Sequence, residues 1–389
     1  MPQQVIVRQR EPLCHACLQE SVEARVRTAL RGDGLVRPGD CVVAAVSGGP
    51  CSAVLLHALC AMRASGASRH PEKRKVPFAL HIVHVDERGA FGDGAMAAGG
   101  ADAVGESVAR YLTPADAPLR VTYERVAAGR GAAGRALRKA LDAIGDPAAR
   151  DDALRAARLR LLADAARRAG ASALLLGSSG TRLAAEALAE CCKGRGADVA
   201  LVARLVDDRR GPLRVLRPLR ACSSRELACC AAALRLPLAQ GAPLRALCRR
   251  PARNVNLLVE DFVLALLQAN PSAVSNIHSV LDKLAVGPLG DGQPLCALCD
   301  APLRVEGVQM DASEAGAADH RADRQVCALC LAAVGPQLAA DSLAAILPAL
   351  GVPESAPEPQ PLRHVPSDEL RSSIAEFLLD EPEDARAPE

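Results

Sequence analysis

The stretch that decides the fold is CVVAAVSGGPCS, residues 41–52. A short apolar run ends in a glycine pair, and the next apolar run, AVLLHALCAM at residues 53–62, has the length of a helix. A short apolar run bounded by glycine is typical of a buried strand. We therefore predict a strand, a tight turn and a helix in that order.

The turn at residues 46–52 has two interpretations. Because Gly48 and Gly49 let the backbone turn tightly, the N–H groups that open the helix face outward, where a phosphate is their natural ligand. The same residues also suit an ordinary turn in which Ser52 caps the helix. A Walker loop is excluded because no Gly-Lys-Ser/Thr follows.

Further strand and helix patterns alternate along the chain. The predicted strands are FALHIVHVDE (78–87), VTYERV (121–126), ASALLLGSSGT (171–181), DVALVARLVDD (198–208) and LRVLRPL (213–219). Helices are predicted at 21–30, 153–169, 182–194 and 223–234, the last of which opens with the capping signature of Ser223 and Glu226. Two more helices are predicted within 253–285, with a break at Asn270-Pro271. This alternation predicts an α/β fold with a doubly wound, mostly parallel sheet. Ligands of such sheets bind beyond the carboxyl ends of the strands, where SGGPCS, HVDE and GSSGT all fall.

The composition indicates a folded protein and restricts its location and the state of its cysteines. Half of the 389 residues are hydrophobic, which excludes a disordered chain, and the net charge of +2 does not by itself indicate a nucleic-acid partner. The sequence shows neither an uninterrupted apolar run of about 18 residues nor an apolar leader, so we expect a cytoplasmic protein. Its 15 cysteines are then expected as thiols. Cys191, Cys192, Cys229 and Cys230 are predicted to be small core residues.

Two cysteine pairs have the spacing of a metal site. The four residues are Cys296, Cys299, Cys327 and Cys330. Four thiolates at this spacing suit zinc in a ribbon-like module, an iron–sulfur cluster takes the same number, and unmetallated thiols are the third alternative. Cys14 and Cys17 form only half a site, which either finds further ligands elsewhere or holds no metal.

The loop at 47–52 resembles the PP-loop of ATP pyrophosphatases, Ser-Gly-Gly-x-Asp-Ser. Ser47, Gly48, Gly49 and Ser52 match, whereas Cys51 stands in place of the aspartate. Losing that carboxylate puts magnesium handling and adenylation in doubt. The text GSSGTRLA at 177–184 also lacks the histidine and the aspartate pair that tRNA-thiolating members carry there.

An ordered set of motifs resembles the cytoplasmic tRNA 2-thiolation protein 2 family. The set comprises Cys14-x-x-Cys17, the loop at 47–52, HVDE at 84–87, GSSGTRLA at 177–184, Gly-Arg-Gly at 194–196, RPLR at 217–220, the helices within 254–284, the paired CxxC motifs and IAEFLL at 374–379. For Gly-Arg-Gly, a helix C-cap followed by a loop explains the residues equally well. For Cys51, a small buried residue and a persulfide carrier are both open.

The resemblance implies a subunit that acts in 2-thiolation of the wobble uridine, position 34, of tRNAs for Lys, Glu and Gln. It implies a heterodimer with a sister subunit that keeps the intact PP-loop, and sulfur supplied by a thiocarboxylated ubiquitin-related modifier. ATP and magnesium are doubtful in this subunit. The alternatives are an autonomous ATP-dependent tRNA sulfurtransferase and a nucleotide-binding zinc-ribbon protein without an RNA role.

Site residues follow from these interpretations. The degenerate nucleotide site is predicted at Ser47, Gly48, Gly49, Cys51, Ser52, Asp86 and Gly177. Contacts with tRNA phosphates are predicted at Arg195, Arg245, Arg249, Arg250 and Arg253. The predicted domains are an N-terminal CxxC and helix (1–37), the PP-loop-like α/β domain (38–245), a helical extension (246–290), a four-cysteine module (291–345) and a Pro- and acid-rich tail with a terminal helix (346–389).

Overall fold

The computed structural model of the chain describes most of residues 4–302 and part of the second cysteine pair. The described residues are 4–8, 11–64, 77–87, 102–114, 117, 119–128, 138–139, 141–196, 199–239, 254–284, 295–296, 299–302, 327 and 329–330. The predicted terminal helix at 374–379 lies outside them. The domain boundaries stay predictions.

A six-stranded sheet forms the centre of the molecule. The described part of the chain has eight strands, of which the last six form this sheet. They are β1 (Gln4–Arg8), β2 (Glu11–Cys14), β3 (Cys41–Ala45), β4 (Ala79–Asp86), β5 (Val121–Ala127), β6 (Ala173–Leu176), β7 (Val206–Asp207) and β8 (Arg214–Leu216). The sheet order is β5-β4-β3-β6-β8-β7, and only β7 runs antiparallel to its neighbour. β1 and β2 pair as a separate hairpin. The predicted mostly parallel α/β sheet is confirmed.

Nine helices connect and cover the strands in the described part of the chain. They are α1 (His15–Arg31), α2 (Pro50–Ala64), α3 (Ala103–Val108), α4 (Pro147–Arg168), α5 (Gly180–Cys192), α6 (Val199–Ala203), α7 (Ser224–Ala233), α8 (Val255–Ala269) and α9 (Ala273–Leu281). Several begin at a capping side chain: Asp146 accepts from Ala149 N, and Ser179 accepts from Arg182 N. No single described helix is long and apolar enough to cross a membrane, and the α8–α9 pair, which reaches that length, is bent by 120°.

Both faces of the sheet are buried, as expected for parallel strands connected by helices. Successive side chains of β3 point to opposite faces, so Val42 and Ala44 join α1, α2 and α7 in one core. Val43, between them, joins α4 in a second core on the other face. Small apolar residues of α5 pack against α8 and α9, which attaches the helical extension to the sheet domain.

The predicted strand at 198–208 is wrong over most of its length. Val199–Ala203 is the short helix α6, and only Val206–Asp207 is strand. Four of the five α6 residues are buried, against α5 and Leu281, so this apolar run fills a pocket between helices and does not alternate across a sheet. Two of the predicted core cysteines, Cys191 and Cys192, are exposed, because they lie at the open end of α5.

Candidate functional site

The loop after β3 is held by hydrogen bonds among its own residues. The hydroxyl of Ser52 donates to the carbonyl oxygen of Gly49 at 3.0 Å and accepts from the backbone N–H of Ser47 at 3.3 Å. The Ser47 hydroxyl lies 3.2 Å from the same oxygen. Ser52 is buried, so its polar atom is satisfied inside the protein. The loop therefore has a defined shape without a bound phosphate.

Two of the predicted glycines are required by close packing around this loop. Gly48 has φ of +81°, and a Cβ atom there would lie 2.5 Å from the Cβ of Ala239. The segment Leu236–Ala239 thus lies over the loop, and the Ala239 N–H donates to the Gly48 carbonyl at 3.1 Å. A Cβ at Gly177, after β6, would lie 2.9 Å from the Cα of Ser52. The structure therefore brings the predicted loop, Gly177 and the end of β6 together.

Cys51 occupies the position of the PP-loop aspartate in the first turn of α2. Its side chain is partly buried, and this burial raises the pKa of the thiol, with Arg182 opposing the effect only in part. A protonated thiol is a poor ligand for magnesium, which prefers oxygen atoms such as those of carboxylates. This position therefore lacks the charge that cation binding in a PP-loop requires.

Both carboxylates of the HVDE motif form ion pairs with arginines. Asp86 is buried at the end of β4 and accepts from Nε of Arg125 on β5 at 3.1 Å. Glu87 is buried as well, and its Oε2 accepts from Nη2 of Arg158 on α4 at 2.9 Å. These pairs fix the carboxyl edge of the sheet to the neighbouring strand and helix. Asp86 lies at the predicted edge, and nucleotide contact by its carboxylate stays a prediction.

The turn at 177–184 connects the loop region to α7. Ser179 caps α5, and its hydroxyl lies 2.7 Å from that of Ser224. The hydroxyl of Thr181 accepts from the Ser224 N–H at 3.1 Å. Polar atoms of this turn thus join the N-termini of α5 and α7.

Gly-Arg-Gly at 194–196 begins as a helix C-cap. Gly194 has φ of +79° and its N–H donates to the Cys191 carbonyl, while the Arg195 N–H donates to the Glu190 carbonyl at 2.8 Å. This pair of bonds is the Schellman motif. It turns Arg195 back over the end of α5, where the residue is buried. The side chain predicted to contact tRNA therefore lies inside the protein, and the contact remains untested.

The four cysteines of the paired motifs meet at one point. Their sulfur atoms all lie within 4.8 Å of one another, and those of Cys299 and Cys327 are 3.8 Å apart. The Cys327 N–H donates to the sulfur of Cys296 at 3.3 Å, as is usual around a thiolate ligand. A tetrahedral ion with metal–sulfur bonds of about 2.3 Å requires sulfur–sulfur distances of about 3.8 Å. The donor set fits one tetrahedral ion.

Asp300 anchors this cluster to the sheet domain. It follows Cys299 with φ of +59°, and its N–H closes the turn on the Cys296 carbonyl at 2.9 Å. Its carboxylate lies 3.2 Å from Arg160 on α4 and 2.7 Å from Arg210 in the β7–β8 turn. Sequence reasoning missed the two arginine contacts, because partners at least 90 residues apart leave no local pattern.

The remaining predicted sites have fewer contacts. Cys14 caps α1, its sulfur accepting from the Cys17 N–H at 3.4 Å, and this hydrogen bond lowers the pKa of the Cys14 thiol. Among the described residues, only the set of four cysteines brings enough donor atoms together for a metal, so a metal at Cys14 and Cys17 stays a prediction. Four predicted tRNA contacts lie outside the described residues: Arg245, Arg249, Arg250 and Arg253.

Curated relatives match this chain over most of its length, although no family model matches it. Cytoplasmic tRNA 2-thiolation protein 2 of Oryza sativa subsp. indica is 29% identical over 70% of this chain and 58% of that protein. The protein of the same name from Bos taurus is 24% identical over 78% and 70%, and that from Homo sapiens is 31% identical over 41% and 32%. The chain is similar in sequence to cytoplasmic tRNA 2-thiolation protein 2 of both plants and animals. It spans 58% of the length of the rice relative.

A solved structure supports the fold of this chain. The U34-tRNA thiolase NcsA from Methanococcus maripaludis, determined with its 4Fe-4S cluster, superposes with a TM-score of 0.50. The match covers 76% of this chain and 89% of the thiolase, with 15% sequence identity. The PP-loop type of fold is therefore confirmed, and at this identity the likeness supports the fold alone.

Proposed function

We propose that this chain is a tRNA-binding subunit of a cytoplasmic complex that 2-thiolates the wobble uridine, position 34, of tRNAs for Lys, Glu and Gln. Its partner is a sister subunit with an intact PP-loop, and the sulfur comes from a thiocarboxylated ubiquitin-related modifier. Sequence similarity to cytoplasmic tRNA 2-thiolation protein 2 and the PP-loop fold support this proposal. The names of the relatives support the cytoplasmic location.

One observation supports a catalytic step in the partner: Cys51 stands where a PP-loop requires a carboxylate. Adenylation needs a cation beside the ATP phosphates, and the partly buried, protonated thiol of Cys51 does not supply that ligand. Asp86, the nearby acidic residue of the HVDE motif, is already paired with Arg125. The chain then contributes its surface and its loop architecture to the complex, and the sister subunit activates the uridine.

The test is nucleoside mass spectrometry of total tRNA from cells that lack this gene. We expect 2-thiolated wobble uridine to disappear and to return on re-expression of the chain. We expect re-expression of Cys51→Ser to restore it as well, because a small residue fills the same space and no sulfur chemistry is assigned to this thiol. Unchanged 2-thiouridine in the deletion strain would refute the thiolation role.

Two further outcomes separate the alternatives. If Cys51→Ser fails to restore thiolation although the protein accumulates normally, Cys51 has a chemical role and the division of labour is wrong. If the purified chain alone thiolates tRNA with ATP and a sulfur donor, it is an autonomous sulfurtransferase. Calorimetric titration with ATP and magnesium on the isolated chain provides an independent measurement, in which we expect little or no heat of binding.

We also infer that the four cysteines hold one structural zinc ion. The short sulfur–sulfur distances support a single ion, because a four-iron cube binds each cysteine at a separate iron and spreads the sulfur atoms further apart. Elemental analysis of protein purified without added metal is expected to give one zinc per chain. Iron together with inorganic sulfide and visible absorption would instead establish a cluster.

A further inference from the structure

Arg195 connects the sheet domain to the four-cysteine site. Its Nη1 atom donates to Asp152 on α4 at 2.6 Å and to Glu190 on α5 at 3.2 Å. Its Nη2 atom donates to the sulfur of Cys330 at 3.3 Å. The side chain is only 7% exposed. One planar guanidinium thus joins two helices and a candidate metal ligand inside the protein.

The backbone prepares Arg195 for this position. The Schellman motif at the end of α5 fixes the direction in which the residue leaves the helix, so little conformational entropy is lost when the side chain makes its contacts. The second cysteine pair packs against the end of α5: a Cβ at Gly194 would lie 3.8 Å from the side chain of Leu329, which precedes Cys330. The helix end and the second cysteine pair therefore lie against each other.

We propose that Arg195 is a positioning residue of the four-cysteine metal site, holding the sulfur of Cys330 in place through an N–H···S hydrogen bond. This inference rests on the metal site inferred above. Four thiolates around a divalent ion leave a net charge of −2 in a largely buried site, and a guanidinium against one sulfur offsets part of it. A guanidinium can make both contacts because its two terminal nitrogen atoms donate to a carboxylate and to a sulfur at the same time.

Lys193 provides a matched comparison within the same network. Its ammonium lies 2.7 Å from Asp152 and 2.6 Å from Glu190, the two carboxylates that Arg195 also contacts. Within the part of the chain that the structure describes, its ammonium contacts only carboxylates, whereas Arg195 also reaches the sulfur. Replacing Lys193 therefore removes one positive charge from the network and leaves the N–H···S bond intact.

The experiment measures zinc release from the full-length chain. Wild type, Arg195→Gln and Lys193→Gln are loaded with one zinc, and transfer to a chromogenic chelator is followed at neutral pH. Changes to groups that orient metal ligands typically weaken metal affinity about 10- to 100-fold. We expect release from Arg195→Gln to be at least about 10-fold faster than from wild type, and release from Lys193→Gln to change by less than about 3-fold.

Cobalt substitution gives a spectroscopic readout of the same hydrogen bond. Loss of an N–H donor raises the energy of the sulfur lone pair, so the thiolate-to-cobalt charge-transfer band of Arg195→Gln moves to longer wavelength. Arg195→Lys keeps the positive charge but loses the fork, and serves if the glutamine variant does not fold. We expect the band shift and faster release in this variant too.

Each outcome decides the inference. Equal release rates and cobalt spectra in wild type and the arginine variants overturn the role of Arg195 while the metal site stands. Equally fast release from Lys193→Gln also overturns it, because the effect would then come from the charge of the carboxylate network. A wild-type chain that takes up neither zinc nor cobalt overturns the metal site and this inference together, without affecting the thiolation assay.

Discussion

Gly48→Ala tests the packing around the loop after β3. The backbone of Gly48 is in the left-handed region, where a side chain costs about 1–2 kcal/mol. The new methyl carbon would also lie 2.5 Å from Cβ of Ala239 and 3.1 Å from Cγ2 of Val104. Overpacking of this kind costs about 1–3 kcal/mol. The two costs together predict a loss of about 2–5 kcal/mol in the free energy of unfolding.

Gly49→Ala is the matched control one residue further along. A Cβ there would meet only the Ser47 hydroxyl oxygen at 3.6 Å, which is ordinary van der Waals contact, and the position has no positive φ. This alanine also reduces the conformational entropy of the unfolded chain, which is worth about 0.4–1 kcal/mol in favour of the variant. We therefore expect Gly49→Ala to be neutral or slightly stabilising.

Urea unfolding followed by far-UV circular dichroism measures both variants. A difference of about 2 kcal/mol or more between them is expected from the summed strain and overpacking costs. Equal midpoints would refute the reasoning. A cost of only about 1–2 kcal/mol for Gly48→Ala would match backbone strain alone and mean that the segment Leu236–Ala239 does not lie over the loop.

Three further predictions concern other parts of the fold. Burial by itself would raise the pKa of Glu186, but Arg155 and Arg182 more than offset it and hold the pKa at about 2, below its usual 4.5. The Glu186 carboxylate therefore stabilises the fold above about pH 4.5, and this contribution is lost as the pH falls towards 2. The free energies of unfolding of wild type and Glu186→Gln, measured against pH, should converge over that range. Asp300→Asn keeps a residue that tolerates positive φ but removes the charge facing two arginines, and hydrogen exchange at the four-cysteine module should rise while exchange in the central sheet stays unchanged. Ser223→Ala removes the capping box of α7 and should cost about 1 kcal/mol, measured as a lower thermal midpoint, and no change would contradict the cap.

The sequence predicted those strands, turns and helix caps that depend only on residues close together in the chain. The strand, turn and helix at 41–64 follow from a short apolar run, a glycine pair and a longer apolar run, and the structure has all three. The capping signature of Ser223 and Glu226 gives both reciprocal hydrogen bonds, because the two residues are only three positions apart. The structure also places α8 and α9 on either side of the predicted break at residues 270–271.

The contacts that sequence reasoning missed join distant parts of the chain. Arg195 and Cys330 are 135 residues apart, and no periodicity or motif relates them. The Schellman motif and two acidic side chains bury Arg195, which no local sequence pattern indicates, and its predicted tRNA contact stays a prediction. The helix α6 was missed for a related reason, since a five-residue apolar run suits either structure and only its neighbours α5 and Leu281 decide between them.

The degenerate loop keeps its motif residues because they also support the fold. Ser52 closes the loop on itself, Asp86 joins β4 to Arg125 on β5, and Ser179 caps α5 beside Ser224. Each of these polar groups is satisfied by protein atoms, so the carboxyl edge of the sheet holds its shape without a nucleotide. A subunit relieved of adenylation, as proposed for this chain, could lose the catalytic carboxylate at position 51 at little structural cost. Loss of Gly48, Gly177 or Ser52 would disturb the edge itself.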